Sequence, residues 1–121
     1  MPYIVGSLTK SNLDMSAGVV RSGVTTTTTE SQTAIISVSA SEYQSIEFKI
    51  QATRGSNHNS TIVRAIHDGS SAYFSEYGTI NVSDSVSSFS VDYNSGQLRL
   101  LATPSSVEST TFKVIYTALN A

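Results

Sequence analysis

Alternation of apolar and polar residues is the feature that most constrains how this chain can fold. Residues 46–53 (IEFKIQAT) and 112–117 (FKVIYT) both alternate with a period of two. The apolar members would share one face of each extended segment: Ile46, Phe48, Ile50 and Ala52 in the first, and Phe112, Val114 and Tyr116 in the second. This is the pattern of a strand with one buried face. Helical apolar spacing does not occur, so the sequence predicts an all-β protein.

Six further strands are predicted from β-prone runs bounded by turn residues. They cover residues 19–28, 33–39, 61–67, 72–77, 89–93 and 97–101. Asp68-Gly69 and Asn94-Ser95-Gly96 supply residues that tolerate positive φ, and each predicts a hairpin. About eight antiparallel strands favour a jelly-roll-like, two-sheet β-sandwich, because a single sheet would leave an apolar face in water. Residues 54–59 and 103–106 are predicted to be polar loops.

The 121 residues suffice for one domain. We assign residues 17–121 to the β-sandwich and residues 1–16 to an extended N-terminal arm. The arm has two interpretations, a frayed terminus or a segment that becomes ordered on a partner. The second interpretation is suggested by the apolar residues of the arm, because a solvated tail would have few of them. These residues are Tyr3, Ile4, Val5 and Leu8. The run of threonines at 25–29 fits either an edge strand or a linker.

Composition excludes several classes of function. The net charge is -2 and the seven basic residues are spread along the chain, so no surface for a phosphate backbone is expected. The chain has no cysteine and two histidines, so we expect no metal and no cofactor. Its start lacks the pattern of a signal peptide, and no apolar stretch is long enough to span a membrane. Hydroxyl side chains are abundant instead, with 23 Ser and 14 Thr.

No catalytic constellation is predicted. His67 and Asp68 are adjacent on a strand, where neighbouring side chains point to opposite faces, so they do not form part of a triad. The sequence has no G-x-S-x-G motif, and no spacing selects a pair of carboxylates. Arg64 and Arg99 are expected to pair across strands with Glu76 or Asp92, in a structural role. We therefore expect a protein without enzymatic activity.

Residues 72–80 form the most aromatic stretch of the chain. Its three aromatic residues are Tyr73, Phe74 and Tyr77, and they cannot all lie on one face of a strand. One interpretation is a recognition patch, since tyrosine offers contact area at a low cost in conformational entropy. The other is core packing combined with a subunit interface, which we favour.

Two longer motifs resemble a known family. Residues 66–80 (IHDGSSAYFSEYGTI), followed by 89–92 (FSVD) and 96–104 (GQLRLLATP), are similar to a domain of virion structural proteins in tailed phages of marine bacteria, especially cyanophages. In that family an IHDG-x-x-AY-x-x-EYG hairpin and a G-x-x-RLL-x-TP strand recur. The resemblance covers roughly residues 44–117.

The resemblance implies a non-enzymatic, usually oligomeric β-sandwich on a virion surface, with trimers common in the family. In the family this module often ends a longer fibre, whereas here it nearly fills the chain, which favours a capsid decoration protein that binds the capsid and neighbouring copies. The alternatives are a tail-fibre subunit or an adhesion module that binds a receptor or a host surface glycan. The expected location is the virion surface, after synthesis in the host cytoplasm. The expected partner-binding residues are those of the arm and of the aromatic stretch.

Overall fold

The computed structural model describes residues 12–121, which form nine antiparallel strands in two sheets. The strands are β1 (Asn12–Asp14), β2 (Gly18–Thr27), β3 (Thr33–Ser39), β4 (Tyr43–Arg54), β5 (Asn57–His67), β6 (Ala72–Val82), β7 (Ser87–Asn94), β8 (Gln97–Pro104) and β9 (Thr110–Asn120). The large sheet has the order β1-β2-β9-β4-β5-β6, and the small sheet has the order β3-β8-β7. The predicted all-β, two-sheet sandwich is confirmed.

The strand pairing agrees in part with that of a jelly roll. Strand β2 pairs with β9, and β3 pairs with β8, so early strands meet late ones. A complete roll would continue with β4 beside β7, but β4, β5 and β6 form a meander within the large sheet. The large sheet therefore has three more strands than the small one.

The core lies between the inner faces of the two sheets. Phe48, Val63 and Phe112 from the large sheet are fully buried, as are Leu98 and Leu100 from β8. The side chains of β4 and β9 that alternation assigned to one face are the buried ones, except that Tyr116 is only partly buried. Burying apolar surface at about 25 cal/mol per Å² makes this layer the main source of stability.

Contact between the sheets is close at β2. A β-carbon built on Gly23 would lie 2.7 Å from Cδ1 of Ile36 on β3. Across the core, Phe89 and Phe112 pack edge to face, with ring centroids 6.0 Å apart, which is a favourable geometry for aromatic pairs. These contacts fix the small sheet against β2 and β9, whereas every residue of β6 after Ala72 is exposed.

Several predicted boundaries were wrong. Residues 54–59 are not a loop: β4 runs through Arg54, β5 begins at Asn57, and Gly55 and Ser56 form the turn between them. Polar composition misled here, because Asn59 is a buried residue of the strand. Strand β8 likewise continues to Pro104, and β6 continues past Tyr77 to Val82.

The structure describes part of the arm and all of the threonine run. Residues 12–14, which we assigned to the arm, form β1 and pair with β2. Within the threonine run, residues 25–27 belong to β2 and pair with β9, which favours the strand interpretation for that part. The predicted partner-binding residues Tyr3, Ile4, Val5 and Leu8 lie outside the described residues.

Candidate interaction surface

The aromatic stretch lies on β6, the last strand of the large sheet. Tyr73 and Tyr77 pair with Ile66 and Ile62 of β5 on the outer face, away from the small sheet, and Phe74 points to the opposite face. All three are exposed, at 57%, 44% and 45% for Tyr73, Tyr77 and Phe74. The aromatics divide between two faces, as expected. The core packing that we favoured is wrong, because none of the three is buried.

Hydrogen bonds hold the two tyrosines in place. The Tyr73 hydroxyl donates to Oδ2 of Asp68 at 3.2 Å, and the Tyr77 hydroxyl donates to Oε2 of Glu47 at 3.3 Å. Glu47 also lies 3.8 Å from Nε of Arg64, its cross-strand neighbour on β5. The rings are therefore presented to solvent while their polar ends are fixed, which lowers the conformational entropy lost on binding.

Asp68 organises the turn that precedes β6. Its Oδ1 accepts hydrogen bonds from the backbone N–H groups of Ser71 at 2.8 Å and Ser70 at 3.0 Å, and from the Ser70 hydroxyl at 3.1 Å. These bonds, led by the one from Ser71, lower the pKa of Asp68 from 3.8 to about 2. The carboxylate is therefore committed to holding the hairpin.

His67 is likewise committed to the fold. Its Nδ1 accepts a hydrogen bond from the backbone N–H of Gly69, and its Nε2 bonds to the carbonyl oxygen of Tyr43. Its ring also packs against Tyr93 at 5.7 Å. With both ring nitrogens engaged by the backbone, His67 has no free nitrogen with which to act on a substrate.

The arginines have the structural role that we expected, with one change of partner. Arg99 forms a bidentate pair with Asp92 across β7 and β8, and this hydrogen bond raises the pKa of Arg99. Arg64 pairs with Glu47 instead of Glu76. Glu76 accepts hydrogen bonds from Thr61 at 2.9 Å and Thr79 at 3.3 Å.

Two shallow depressions lie on the outer face of the large sheet. The first crosses from β9 to β6 and has a volume of about 550 Å³. The second crosses from β2 to β5 and has a volume of about 560 Å³. Side chains that line the first include Glu47, Arg64, Ile66, Tyr73 and Leu119, and those that line the second include Val24, Lys49, Ile62, Lys113 and Ile115. Both therefore combine apolar and charged groups.

Part of this surface was missed by sequence reasoning. Val24 and Leu119 were not predicted to take part in binding, although both are exposed on the outer face with Ile115. The sequence did offer one signal. Ile115 alternates with Lys113 and Thr117, so its side chain points away from the face of β9 that is buried. A single apolar residue on a polar face is common, so the sequence alone did not distinguish this site.

Within residues 12–121, no group of three or more His, Asp or Glu side chains is placed to hold a metal ion. In the same part of the chain, no helix is long and apolar enough to cross a membrane.

No protein-family model and no curated protein matches this chain. Among solved structures, it is similar to the tailspike protein of Acinetobacter baumannii phage AM24, with a TM-score of 0.49 and 9% sequence identity. The alignment covers 84% of this chain and 27% of the tailspike. The chain therefore spans about a quarter of the length of that protein.

Proposed function

We propose that this chain acts by binding, as a structural module on the surface of a phage particle, and specifically as a capsid decoration protein. The observation that carries the proposal is the outer face of the large sheet. It exposes apolar side chains from four strands: Val24, Ile66, Tyr73, Tyr77, Ile80, Val82, Ile115 and Leu119. They form two groups, one on β2 and β9 and one on β5 and β6, with the polar outer face of β4 between them. Exposed apolar groups bordered by polar side chains mark an interaction site.

The charges on the same face suit contact with a protein. Lys49 and Lys113 border the second depression, and Arg64 and Glu47 border the first. Non-obligate interfaces are about as apolar as the rest of a protein surface, and this face is similarly mixed, with the polar side chains of β4 between two apolar groups. The partner expected opposite the two lysines is a surface with acidic side chains, such as the outside of a capsid shell.

The two motifs of the family resemblance occupy different layers. The motif at 96–104 forms β8, the central strand of the small sheet, where Leu98, Leu100 and Ala102 are fully buried. The motif at 66–80 forms the end of β5, the turn and most of β6, where the tyrosines are exposed. The motif at 96–104 therefore supports the fold, and the motif at 66–80 supplies surface for contacts. This division supports a module that is displayed and bound rather than one that catalyses a reaction.

Binding to particles assembled without the chain tests the proposal. Full-length chain would be added to such particles, bound copies counted by quantitative mass spectrometry, and their position determined by cryo-electron microscopy. We expect density over the capsid shell and a loss of affinity of about tenfold or more for Ile115→Glu, which replaces an exposed apolar side chain on β9 with a carboxylate beside Lys49.

Val107→Glu is the matched control, because Val107 is equally exposed, at 62% against 56% for Ile115, but lies in the β8–β9 loop. Its affinity should equal that of the unchanged chain. Density confined to the tail tip would contradict the capsid placement and favour a tail-fibre role. Equal affinities for the two variants would contradict binding through the outer face.

A second candidate function is binding of a host surface glycan. It is favoured by Tyr73 and Tyr77, whose exposed rings are held beside Arg64 and Glu47 in and near the first depression. Aromatic rings with nearby hydrogen-bonding groups can stack on sugars. A glycan array would compare the unchanged chain with Tyr77→Ala and Tyr77→Phe. A hit that Tyr77→Ala abolishes and Tyr77→Phe retains supports this function, whereas a decoration protein should give no reproducible hit.

A further inference from the structure

The two edges of the large sheet differ. Strand β1 has three residues, and beside it Arg21 and Asp14 form an ion pair at 3.4 Å. Strand β6 has eleven residues, which include one charged residue, Glu76, and no proline. Proteins usually protect a sheet edge with short strands, charges or proline. Within residues 12–121, no strand covers the free side of β6.

The backbone groups on the free side of β6 can be assigned. The N–H of Asp68 donates to the carbonyl of Ser71 at 3.1 Å, which makes this the first hydrogen-bonded pair of the hairpin. Hydrogen-bonded pairs alternate along an antiparallel ladder, so Tyr73 and Ser75 bond to β5. The N–H and C=O groups of Ala72, Phe74 and Glu76 therefore point to the free edge.

This edge is regular only in its first half. The register with β5 is continuous from Ala72 to Tyr77 and then shifts at a bulge, where Gly78 has a φ of +70°. A bulge bends a strand and ends regular pairing. Any strand that adds to β6 would therefore pair with residues 72–77.

We propose that a second copy of this chain pairs with β6, antiparallel and about a two-fold axis that passes beside Ser75. In this register Phe74 of each copy lies opposite Glu76 of the other, and both residues offer backbone groups to the free edge. Reciprocal pairing of this kind is what a two-fold interface requires.

Side chains select this register over its neighbours. It places Tyr73 of each copy opposite Tyr77 of the other on the outer face, in a pair without backbone hydrogen bonds. Contact between the two rings requires the Tyr77 hydroxyl to leave Glu47, which lies on the far side of β5. A shift that centred the axis on Glu76 would oppose two carboxylates. A shift that centred it on Phe74 would separate the tyrosines and shorten the ladder.

The expected association is weak. Each copy contributes three aromatic side chains that are about half exposed, so their burial accounts for roughly 600 Å² in total at about 200 Å² per ring. Interfaces below about 1,200 Å² are typical of transient association. Copies held next to each other on a particle would be at a high effective concentration, which favours the contact. This contact between copies rests on the proposed function only in that the particle would bring the copies together.

Cysteine cross-linking of the full chain tests the register. The chain has no cysteine, so Ser75→Cys introduces one thiol per copy beside the axis. We expect it to form a disulfide-linked dimer under mild oxidation. Ser60→Cys is the matched control, since Ser60 is also exposed on the outer face but lies one strand further in, on β5. It should remain unlinked.

A second pair of variants tests the backbone bonds by sedimentation velocity. Phe74→Pro removes an N–H that faces the free edge and that β5 does not use, a position where proline is tolerated. Phe74→Val removes the same ring and keeps the N–H. Because the dimer would lose two hydrogen bonds, the dissociation constant of Phe74→Pro should be about tenfold higher than that of Phe74→Val.

Three results would overturn the proposal: a monomer at all accessible concentrations, a trimer in which Ser75→Cys stays unlinked, or amide protons of Phe74 and Glu76 that resist exchange even in dilute monomer. The last would show that another part of the same chain covers the edge. All these measurements use the isolated chain, so their failure leaves the particle-binding test of Ile115→Glu unaffected.

Discussion

Nε2 of His67 lies 2.7 Å from the carbonyl oxygen of Tyr43, at the start of β4. Nδ1 of the same ring accepts a hydrogen bond from the N–H of Gly69 at 3.1 Å. A carbonyl oxygen can only accept, so Nε2 donates to Tyr43 while Nδ1 accepts from Gly69. The buried side chain of His67 thus links the β5–β6 turn to β4, the strand on the other side of β5.

Replacing His67 with alanine should lower the free energy of unfolding by about 1–3 kcal/mol, because it leaves two backbone groups without their partner. His58→Ala is the control. His58 is exposed, and among residues 12–121 its ring bonds only to the Thr53 hydroxyl, so a change within about 0.5 kcal/mol is expected. Urea denaturation followed by fluorescence would measure both, and equal losses would contradict the assigned role.

The turn should also make stability depend on acid pH. The folded pKa of Asp68 is about 2, below its ordinary value of 3.8. The folded state therefore binds fewer protons there than the unfolded state, so this stabilisation is complete above about pH 4 and is lost as the pH falls through about 2. The difference in unfolding free energy between the unchanged chain and Asp68→Asn should accordingly shrink over this interval.

Denaturation curves taken from about pH 6 down to about pH 2 would measure that difference. Tyr73→Phe is the control, because the Tyr73 hydroxyl is the last and smallest contribution to the lowered pKa. This variant should keep most of the pH dependence. A difference between the unchanged chain and Asp68→Asn that stays constant with pH would disprove the assignment.

The hairpins could be predicted from the sequence because their chemistry is local. Asp68, Gly69 and Gly96 are residue types that favour turns. The error at residues 54–59 has the opposite cause. Asn59 is polar but buried, and its side-chain amide bonds to Asn81 on β6. Such a partner comes from tertiary structure, which alternation within one strand does not report.

The candidate surface was only partly predictable for a related reason. The aromatics of β6 were found from their spacing, but alternation shows only which residues share a face. It does not show which face a second sheet covers. The outer position of Ile115 becomes an exposed apolar site only because the small sheet lies on the other side of β9. The exposure of both faces of β6 similarly follows from the unequal widths of the two sheets.

The β7–β8 turn offers a stabilising substitution. Its central residues, Ser95 and Gly96, both have positive φ, at +50° and +77°, as in a type I′ turn, where asparagine is preferred at the first position. Ser95→Asn should raise the free energy of unfolding by about 0.5–1 kcal/mol, because serine tolerates this conformation less well. Thermal and urea denaturation would measure the gain.

Ser56→Asn is the matched control for that gain. Ser56 occupies the β4–β5 turn, where Gly55 has a φ of +59° and Ser56 is not among the residues with positive φ. Its substitution should change stability by less than about 0.5 kcal/mol. An equal gain at both turns would mean that asparagine acts through something other than the backbone conformation.

Thr27 and Thr110 face each other at the end of the β2–β9 ladder, and both are buried. The Thr110 hydroxyl donates to the carbonyl of Glu108 at 3.1 Å, whereas the Thr27 hydroxyl has no partner among the described residues. Valine has nearly the same shape as threonine but lacks the hydroxyl. Thr27→Val should therefore raise the free energy of unfolding by about 1 kcal/mol, and Thr110→Val should lower it by about 1 kcal/mol. Parallel urea denaturation of the two variants measures both effects against the same background, and a loss of stability in both would show that the Thr27 hydroxyl is satisfied in solution.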